Sequence, residues 1–286
     1  MSVLFVDNLI YGYSKGTPFE TGALKGVTLS FEKGEIVAVI GHTGSGKSTL
    51  LQHLNGLFKP DSGDVLFKGK SIYASKASLR DCRFSVGLCF QYPEHQLFES
   101  TVYKDIAFGP TNMGLSQEEI KERVYASISY VGLTEDYLEK SPFDLSGGEK
   151  RRVAIAGVIS MKPDVLILDE PTAGLDPVGK NNLLDLIKDY NKATGSTVIF
   201  VSHNMDDVAL VADRVVVMDH GQVALCGTVD EVYSQGEKLA SLGLAIPEIS
   251  SVIVELKKSG FDLPFTPYTV DGAVGLLCDY LKGGEQ

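Results

Sequence analysis

A glycine at position 41, four further residues and then Gly46-Lys47-Ser48 form a spacing that can hold a polyphosphate. Glycines let a loop turn tightly enough to point several amide N–H groups inward. At the start of a helix those amides meet the positive end of its dipole, which makes an anion nest. In Gly41-His42-Thr43-Gly44-Ser45-Gly46-Lys47-Ser48-Thr49, Lys47 would reach the β- and γ-phosphates of a nucleotide, the Ser48 hydroxyl would take one position on Mg²⁺, and Thr49 could donate to the α-phosphate. His42 reads as a solvated loop residue. A glycine-rich turn with a surface lysine is the plain alternative. Context decides against it, because the apolar run Ile36-Val37-Ala38-Val39-Ile40 precedes the loop and a helix carrying Leu50, Leu51 and Leu54 follows.

A second group can complete the chemistry. Leu166-Ile167-Leu168 runs into Asp169-Glu170, where Asp169 would hold Mg²⁺ directly or through water and Glu170 would orient and deprotonate an attacking water. An Asp-Glu pair at a strand end says little by itself, but behind a phosphate loop it says much. His203 ends another apolar run, where alone it reads as a satisfied core or strand-end histidine; Gln91 ends one too, with a polar strand cap as its plain reading. Tyr11 and Tyr13 close the first run of the chain, and either ring could stack on a base or sit in the core. His53 and His95 read as ordinary residues.

These residues need elements to position them. The runs 36–40, 85–90, 164–168 and 197–201 are almost continuously apolar and are separated by helices, which implies a parallel sheet buried on both faces. Ligands of such sheets sit at the carboxyl ends of the strands, and here those ends are Gly41, Gln91, Asp169-Glu170 and His203. Residues 3–31 alternate like antiparallel strands, broken by Ser14-Lys15-Gly16-Thr17-Pro18, and predict an edge sheet before the phosphate loop. Residues 93–160 read as a separate helical lobe, with a capping box at Ser116-Gln117-Glu118-Glu119 followed by Ile120, Val124, Ile128 and Val131 at helical spacing. Asp219-His220-Gly221-Gln222 reads as a hairpin turn. From about residue 236 to 286 two short helices are expected, one after Pro247 and one over residues 273–281.

Composition narrows the function. With 286 residues, 44% of them apolar, the chain can build one large domain, here residues 1–235, and a smaller extension over 236–286. A net charge of −11 with no Lys/Arg run argues against a nucleic-acid partner, although Lys150-Arg151-Arg152 could be a local contact point. Cys82, Cys89, Cys226 and Cys278 show no paired or metal-like spacing and read as reduced thiols. The first residues lack the pattern of a signal peptide, and no apolar stretch is long enough to span a bilayer, so a membrane link is expected to pass through another protein.

Leu145-Ser146-Gly147-Gly148-Glu149 separates the P-loop families, since other motors, kinases and GTPases do not place this pentad just before the acidic strand. With it, residues 1–230 resemble the nucleotide-binding subunits of ABC transporters: phosphate loop, Gln91 as the Q-loop, residues 146–149 as the signature, Asp169-Glu170, a D-loop at Ala173-Gly174-Leu175-Asp176, and His203 as the switch histidine. The resemblance implies an α/β P-loop NTPase fold with a RecA-like parallel sheet core, an N-terminal antiparallel sheet and a helical lobe. It also implies ATP and Mg²⁺ as cofactors, the metal held by Ser48, Gln91 and Asp169, and a dimer in which each signature completes the facing subunit's site. A lone chain should then be nearly inactive. The usual signature residue at 149 is Gln; Glu serves equally in the capping box Ser146-Gly147-Gly148-Glu149, so Glu149 is expected to turn back to the helix start.

A narrower likeness lies in Phe90-Gln91-Tyr92-Pro93-Glu94-His95-Gln96-Leu97-Phe98-Glu99, Thr101-Val102-Tyr103-Lys104-Asp105-Ile106-Ala107-Phe108-Gly109-Pro110, Gly16-Thr17-Pro18-Phe19-Glu20 and Arg152-Val153-Ala154-Ile155-Ala156-Gly157. These segments are similar to the second ATPase type of energy-coupling factor transporters. That likeness implies a peripheral protein on the cytoplasmic face of the membrane that powers uptake of vitamins or other micronutrients. Its partners would be a second ATPase subunit (a paralogue, or a second copy as a homodimer), a transmembrane T component and a substrate-binding S component. Two rival readings stand beside it: the ATPase of another ABC importer, such as one for cobalt or nickel, and a soluble ABC ATPase acting on DNA or ribosomes. The latter class carries two linked cassettes or long coiled-coil insertions, and this chain has neither.

Overall fold

The computed structural model describes residues 2–283, so the last three positions of the expected extension lie outside the described residues. In chain order the elements are β1 (Ser2–Tyr13), β2 (Thr21–Glu32), β3 (Ile36–Ile40), α1 (Lys47–Leu54), β4 (Ser62–Phe67), β5 (Lys70–Ser71), α2 (Lys76–Ser85), β6 (Val86–Cys89), α3 (Val102–Met113), α4 (Gln117–Tyr130), α5 (Gly147–Ile159), β7 (Val165–Asp169), α6 (Pro177–Thr194), β8 (Thr197–Val201), α7 (Met205–Val211), β9 (Arg214–Asp219), β10 (Gln222–Thr228), α8 (Val229–Tyr233), α9 (Gly236–Ser241), α10 (Glu248–Lys258) and α11 (Val270–Gly283).

A six-stranded sheet in the order β10-β9-β3-β8-β7-β6 organises the molecule, with β3, β6, β7, β8 and β9 parallel and β10 turned back as an antiparallel edge. Because side chains alternate along a strand, each run of Val, Ile and Leu feeds two cores at once. Ile36, Ala38, Ile40, Leu166, Leu168, Val198 and Phe200 face the helices. Val37, Val39, Val165, Ile167, Ile199 and Val201 face α1 and the second sheet. Leu51 of α1 is only 1% exposed in that second core, and truncating such a residue to Ala costs about 2–5 kcal/mol.

The second sheet has the order β2-β1-β4-β5 and is antiparallel. It differs from the expected edge sheet in two ways: it lies over a face of the main sheet, and half its strands come from after the phosphate-loop helix. The reason is burial, since Leu4, Val6, Leu9, Val27, Phe31 and Val65 all face the same core as α1.

Ile120, Val124, Ile128, Val131 and Val153 belong to one cluster with the sheet residues Leu166 and Phe200, so α3, α4 and α5 share a core with the sheet. The capping box at Ser116 is formed, and a Ser side chain likewise opens α5. Among the described residues the C-terminal region holds three helices from residue 236 rather than two, because the short α9 tucks Leu239 into the main core. Beyond it, Ile253, Leu263, Ala273 and Leu276 form a small cluster of their own. Among the described residues no helix is long and apolar enough to cross a membrane.

Candidate functional site

β3 ends in the phosphate loop, two of whose glycines have backbone where a side chain would stand. Gly41 has φ 150°, and a Cβ there would meet Met218 O at 2.3 Å; Gly46, at φ 103°, would strike Ala23 O at 2.7 Å. Gly44, by contrast, faces open space, so the loop is packed from behind and accessible in front. Lys47 opens α1, is buried, and donates to Gly41 O at 2.7 Å and His42 O at 3.0 Å. Burial pulls the Lys47 ammonium below the usual lysine range, while the charges of Glu170 and Asp169 oppose that shift. Tyr13 Oη lies 3.0 Å from Thr49 Oγ1, which puts this half-exposed ring beside the loop helix. Tyr11 instead stacks on Phe58, with centroids 5.4 Å apart and planes at 11°, and is partly buried against the second core.

β7 delivers the two acids. Asp169 is 7% exposed, and its Oδ1 is buried without a hydrogen-bond partner among the described residues. Desolvation raises its pKa, with the Ser48 hydroxyl pulling the other way. A buried carboxylate oxygen with a free lone pair beside a serine hydroxyl is a donor set that suits a hard cation such as Mg²⁺.

The next residue, Glu170, sits at φ 48°, a left-handed conformation that costs a non-glycine residue of order 1–3 kcal/mol and concentrates at functional sites. Its carboxylate is held from both sides, accepting from Gln91 Nε2 at 2.8 Å and facing His203 Nε2 at 2.8 Å. Three strand ends expected to converge therefore meet on one carboxylate, and that carboxylate can accept a proton from a water placed beside it.

The residues of the pentad do not join this group. Among the described residues, no hydrogen bond or ion pair links 146–149 to the phosphate loop; Ser146, Gly148 and Glu149 line a separate cleft of about 460 Å³ with Leu175 and Asn182. Gly147 and Gly148 are exposed with nothing within 4 Å of an added Cβ, so the start of α5 is open to an approaching group. Glu149 does turn back. Its Oε2 accepts from Ser146 N at 2.8 Å and Ser146 Oγ at 2.7 Å, and its Oε1 accepts from Tyr137 Oη at 2.6 Å. The Tyr137 hydrogen bond first, then those from Ser146, push this carboxyl down to about 2. Asp176 caps α6, its Oδ1 accepting from Gly179 N at 2.6 Å.

Two features escaped the sequence reading. Arg151, in a cluster that looked like a surface contact point, is 4% exposed and is a structural hub. It forms a two-point bond with Glu94, at 3.1 and 3.2 Å, and donates to the carbonyls of Pro171 at 3.1 Å and Ala173 at 2.6 Å. One guanidinium thus ties the helix behind the pentad to the segment after Gln91 and to the loop after Glu170. The signal was its position on α5, between the buried Val153 and the capped start. The second is where the expected β9–β10 turn docks: His220 and Gly221 both have positive φ, and the Gly221 amide donates to Ser45 O of the phosphate loop at 3.0 Å. His42 is not simply solvated, because Nδ1 bonds Thr43 O at 2.8 Å and Nε2 lies 2.9 Å from Asp219 Oδ1. The Thr43 bond, then Asp219, raise its pKa. His53 is buried with Nδ1 on Thr49 O at 2.7 Å, and His95 is an exposed ring over Tyr92.

Comparison with known proteins adds an independent line. Residues 24–173 match the ABC transporter family. The chain is 51% identical over 278 residues to the energy-coupling factor transporter ATP-binding protein EcfA2 of Caldanaerobacter subterraneus, covering 97% of each. It is 52% identical over 281 residues to the protein of the same name from Clostridium perfringens, covering 98% of this chain and 99% of the other. Among solved structures, Clostridium perfringens cbiO1, part of the ABC transporter complex cbiONQ, shares 43% identity with a TM-score of 0.75 over 88% of this chain and 99% of that one. A dimeric ATP-binding cassette bound to ADP and phosphate shares 28% identity with a TM-score of 0.71 over 79% of this chain and 98% of that one.

Proposed function

The chain belongs to the ABC transporter family, as an ATP-binding ATPase subunit of the energy-coupling factor type, and from that premise we propose how its residues turn ATP hydrolysis into uptake. Residues 41–49 bind the phosphates, Tyr13 stacks on the base, and Lys47 carries charge to the β- and γ-phosphates. Ser48, Asp169 and Gln91 would hold Mg²⁺, which when bound neutralises charge on the phosphate oxygens. Glu170 takes a proton from the attacking water, and His203 contacts the γ-phosphate. The observation that carries this reading is the double clamp on Glu170: both oxygens are fixed, from different strands, at a strained residue one step after the buried Asp169.

The exposed, uncrowded Gly147 and Gly148 at the start of α5 support a role for the pentad in a facing subunit, so that two ATPase subunits enclose two ATP molecules, with Asp176 at the junction. The partner is a paralogue or a second copy of this chain. A transmembrane T component docks near residues 91–110, where Tyr92, Phe98 and Phe108 are exposed and the last two rings meet edge to face at 5.0 Å. An S component selects the cargo, a vitamin or another micronutrient, and this chain works at the cytoplasmic face without nucleic acid. Residues 236–286 assist association, a role supported by the exposed Val252, Phe261 and Val274 around their small core.

The test is ATPase activity of the isolated chain across a dilution series, then with the co-purified second ATPase and T component. Activity should be very low in the isolated chain and rise in the complex. A full rate in dilute monomer, linear in concentration, refutes the two-subunit site.

A further inference from the structure

Beside the phosphate loop, three side chains that the hydrolysis reading does not use for metal come together from two segments. His42, Asp219 and His220 each offer a ligand atom, and all three atoms lie within 4.8 Å of one another. His42 Nε2 is 2.9 Å from Asp219 Oδ1, and His220 Nε2 is 3.8 Å from the same oxygen. A tetrahedral ion with bonds of about 2.0–2.1 Å keeps neighbouring ligand atoms roughly 3.3 Å apart, and the two separations bracket that spacing. We propose that His42, Asp219 and His220 form a binding site for a divalent transition ion, Zn²⁺ foremost, with water completing the coordination.

Two kinds of observation support it. The site is pre-assembled: the Gly221 amide donates to Ser45 O at 3.0 Å and Lys25 N donates to Gly221 O at 2.8 Å, so the turn is stapled both to the phosphate loop and to β2. The His42 ring is also oriented as metal-bound imidazoles are. A carbonyl only accepts, so Nδ1 carries the hydrogen it shares with Thr43 O, and Nε2 is the atom turned to the cluster. The His220 side chain is 77% exposed, free to rotate the last fraction of the way. Two imidazoles and one carboxylate favour Zn²⁺, Co²⁺ or Ni²⁺, whereas Mg²⁺ prefers an all-oxygen octahedron. This site is therefore chemically distinct from the one at Ser48 and Asp169, although His42 couples the two, since its backbone oxygen accepts from Lys47.

The test uses the full chain without nucleotide, with Cys226→Ser and Cys278→Ser to remove the two exposed thiols. Zn²⁺ affinity is measured by competition with a chromophoric chelator, and Co²⁺ absorption reports the ligand geometry. One equivalent should bind, with four- or five-coordinate Co²⁺ bands, and excess Mg²⁺ should not displace it. His220→Asn and Asp219→Asn each weaken a direct ligand, so binding should fall by at least about 10–100-fold, the range for losing even an outer-shell partner of a metal site. Asn tolerates the left-handed turn at 220, and an unchanged thermal transition without metal shows that the variant is folded. Equal affinity in folded His220→Asn, displacement by Mg²⁺, or no binding by the parent chain overturns the proposal.

Discussion

Replacing Glu170 with Gln separates nucleotide binding from chemistry, and the surroundings of the carboxylate say what should happen. Glu170 accepts from Gln91 Nε2 and faces His203 Nε2, each at 2.8 Å. A Gln amide can keep its oxygen toward Gln91 and turn its NH₂ toward His203 Nε2, so shape and backbone strain are retained while the proton acceptor is lost. A positioned general base contributes ~10²–10⁴-fold, which is about 3–5 kcal/mol of barrier. ATP affinity should hold or rise, because Lys47 and the loop amides are untouched and one carboxylate near the phosphates is neutralised. Nucleotide binding and single-turnover hydrolysis, measured together on the assembled complex with Lys47→Ala as the binding-defective control, decide it. Turnover near wild type, or lost ATP binding in Glu170→Gln, refutes the assignment of Glu170 as base.

Four further outcomes are expected. Arg151→Met strands a largely buried Glu94 carboxylate and two carbonyls, so urea unfolding should show a loss of about 3–5 kcal/mol, partly recovered in Arg151→Met with Glu94→Gln. Glu149→Gln should hydrolyse ATP within a few-fold of the parent, and Glu149→Ala should do worse, since the cap is worth about 1 kcal/mol. Because the Glu149 carboxyl titrates lower folded than unfolded, its advantage over Gln is present above the ordinary Glu range and is lost as pH falls toward about 2; unfolding midpoints taken from pH 7 downward check the sign. Burial pushes the Cys82 and Cys89 thiols up to about 12, so mass mapping after alkylation at pH 8 should find label on Cys226 and Cys278 and little on that pair.

Much of this was legible because the chemistry and the elements share one grammar. Apolar runs such as 197–201 state a buried strand, and the polar residue closing each run states which end carries the site. The phosphate loop could be read residue by residue because its glycines serve backbone geometry. What stayed hidden depends on long-range packing. Arg151 looks solvated by type, and only Glu94, 57 residues earlier, together with the carbonyls of Pro171 and Ala173, makes its burial affordable. The four-stranded sheet was only half visible, since β4 joins β1 across α1 and no local pattern announces that pairing. Likewise His42 reads as a loop residue until the β9–β10 turn brings Asp219 to it.

The Arg151 hub also bears on how such a chain can change over generations. A guanidinium that serves a carboxylate and two backbone carbonyls at once leaves no single-step route to another residue: shortening it, or losing the acid at 94, strands the groups that remain. Positions 94 and 151 should therefore drift together or not at all. The backbone at 171–173 should be inherited with them as one block, while the neighbouring Lys150 and Arg152, free of that obligation, vary with the surface.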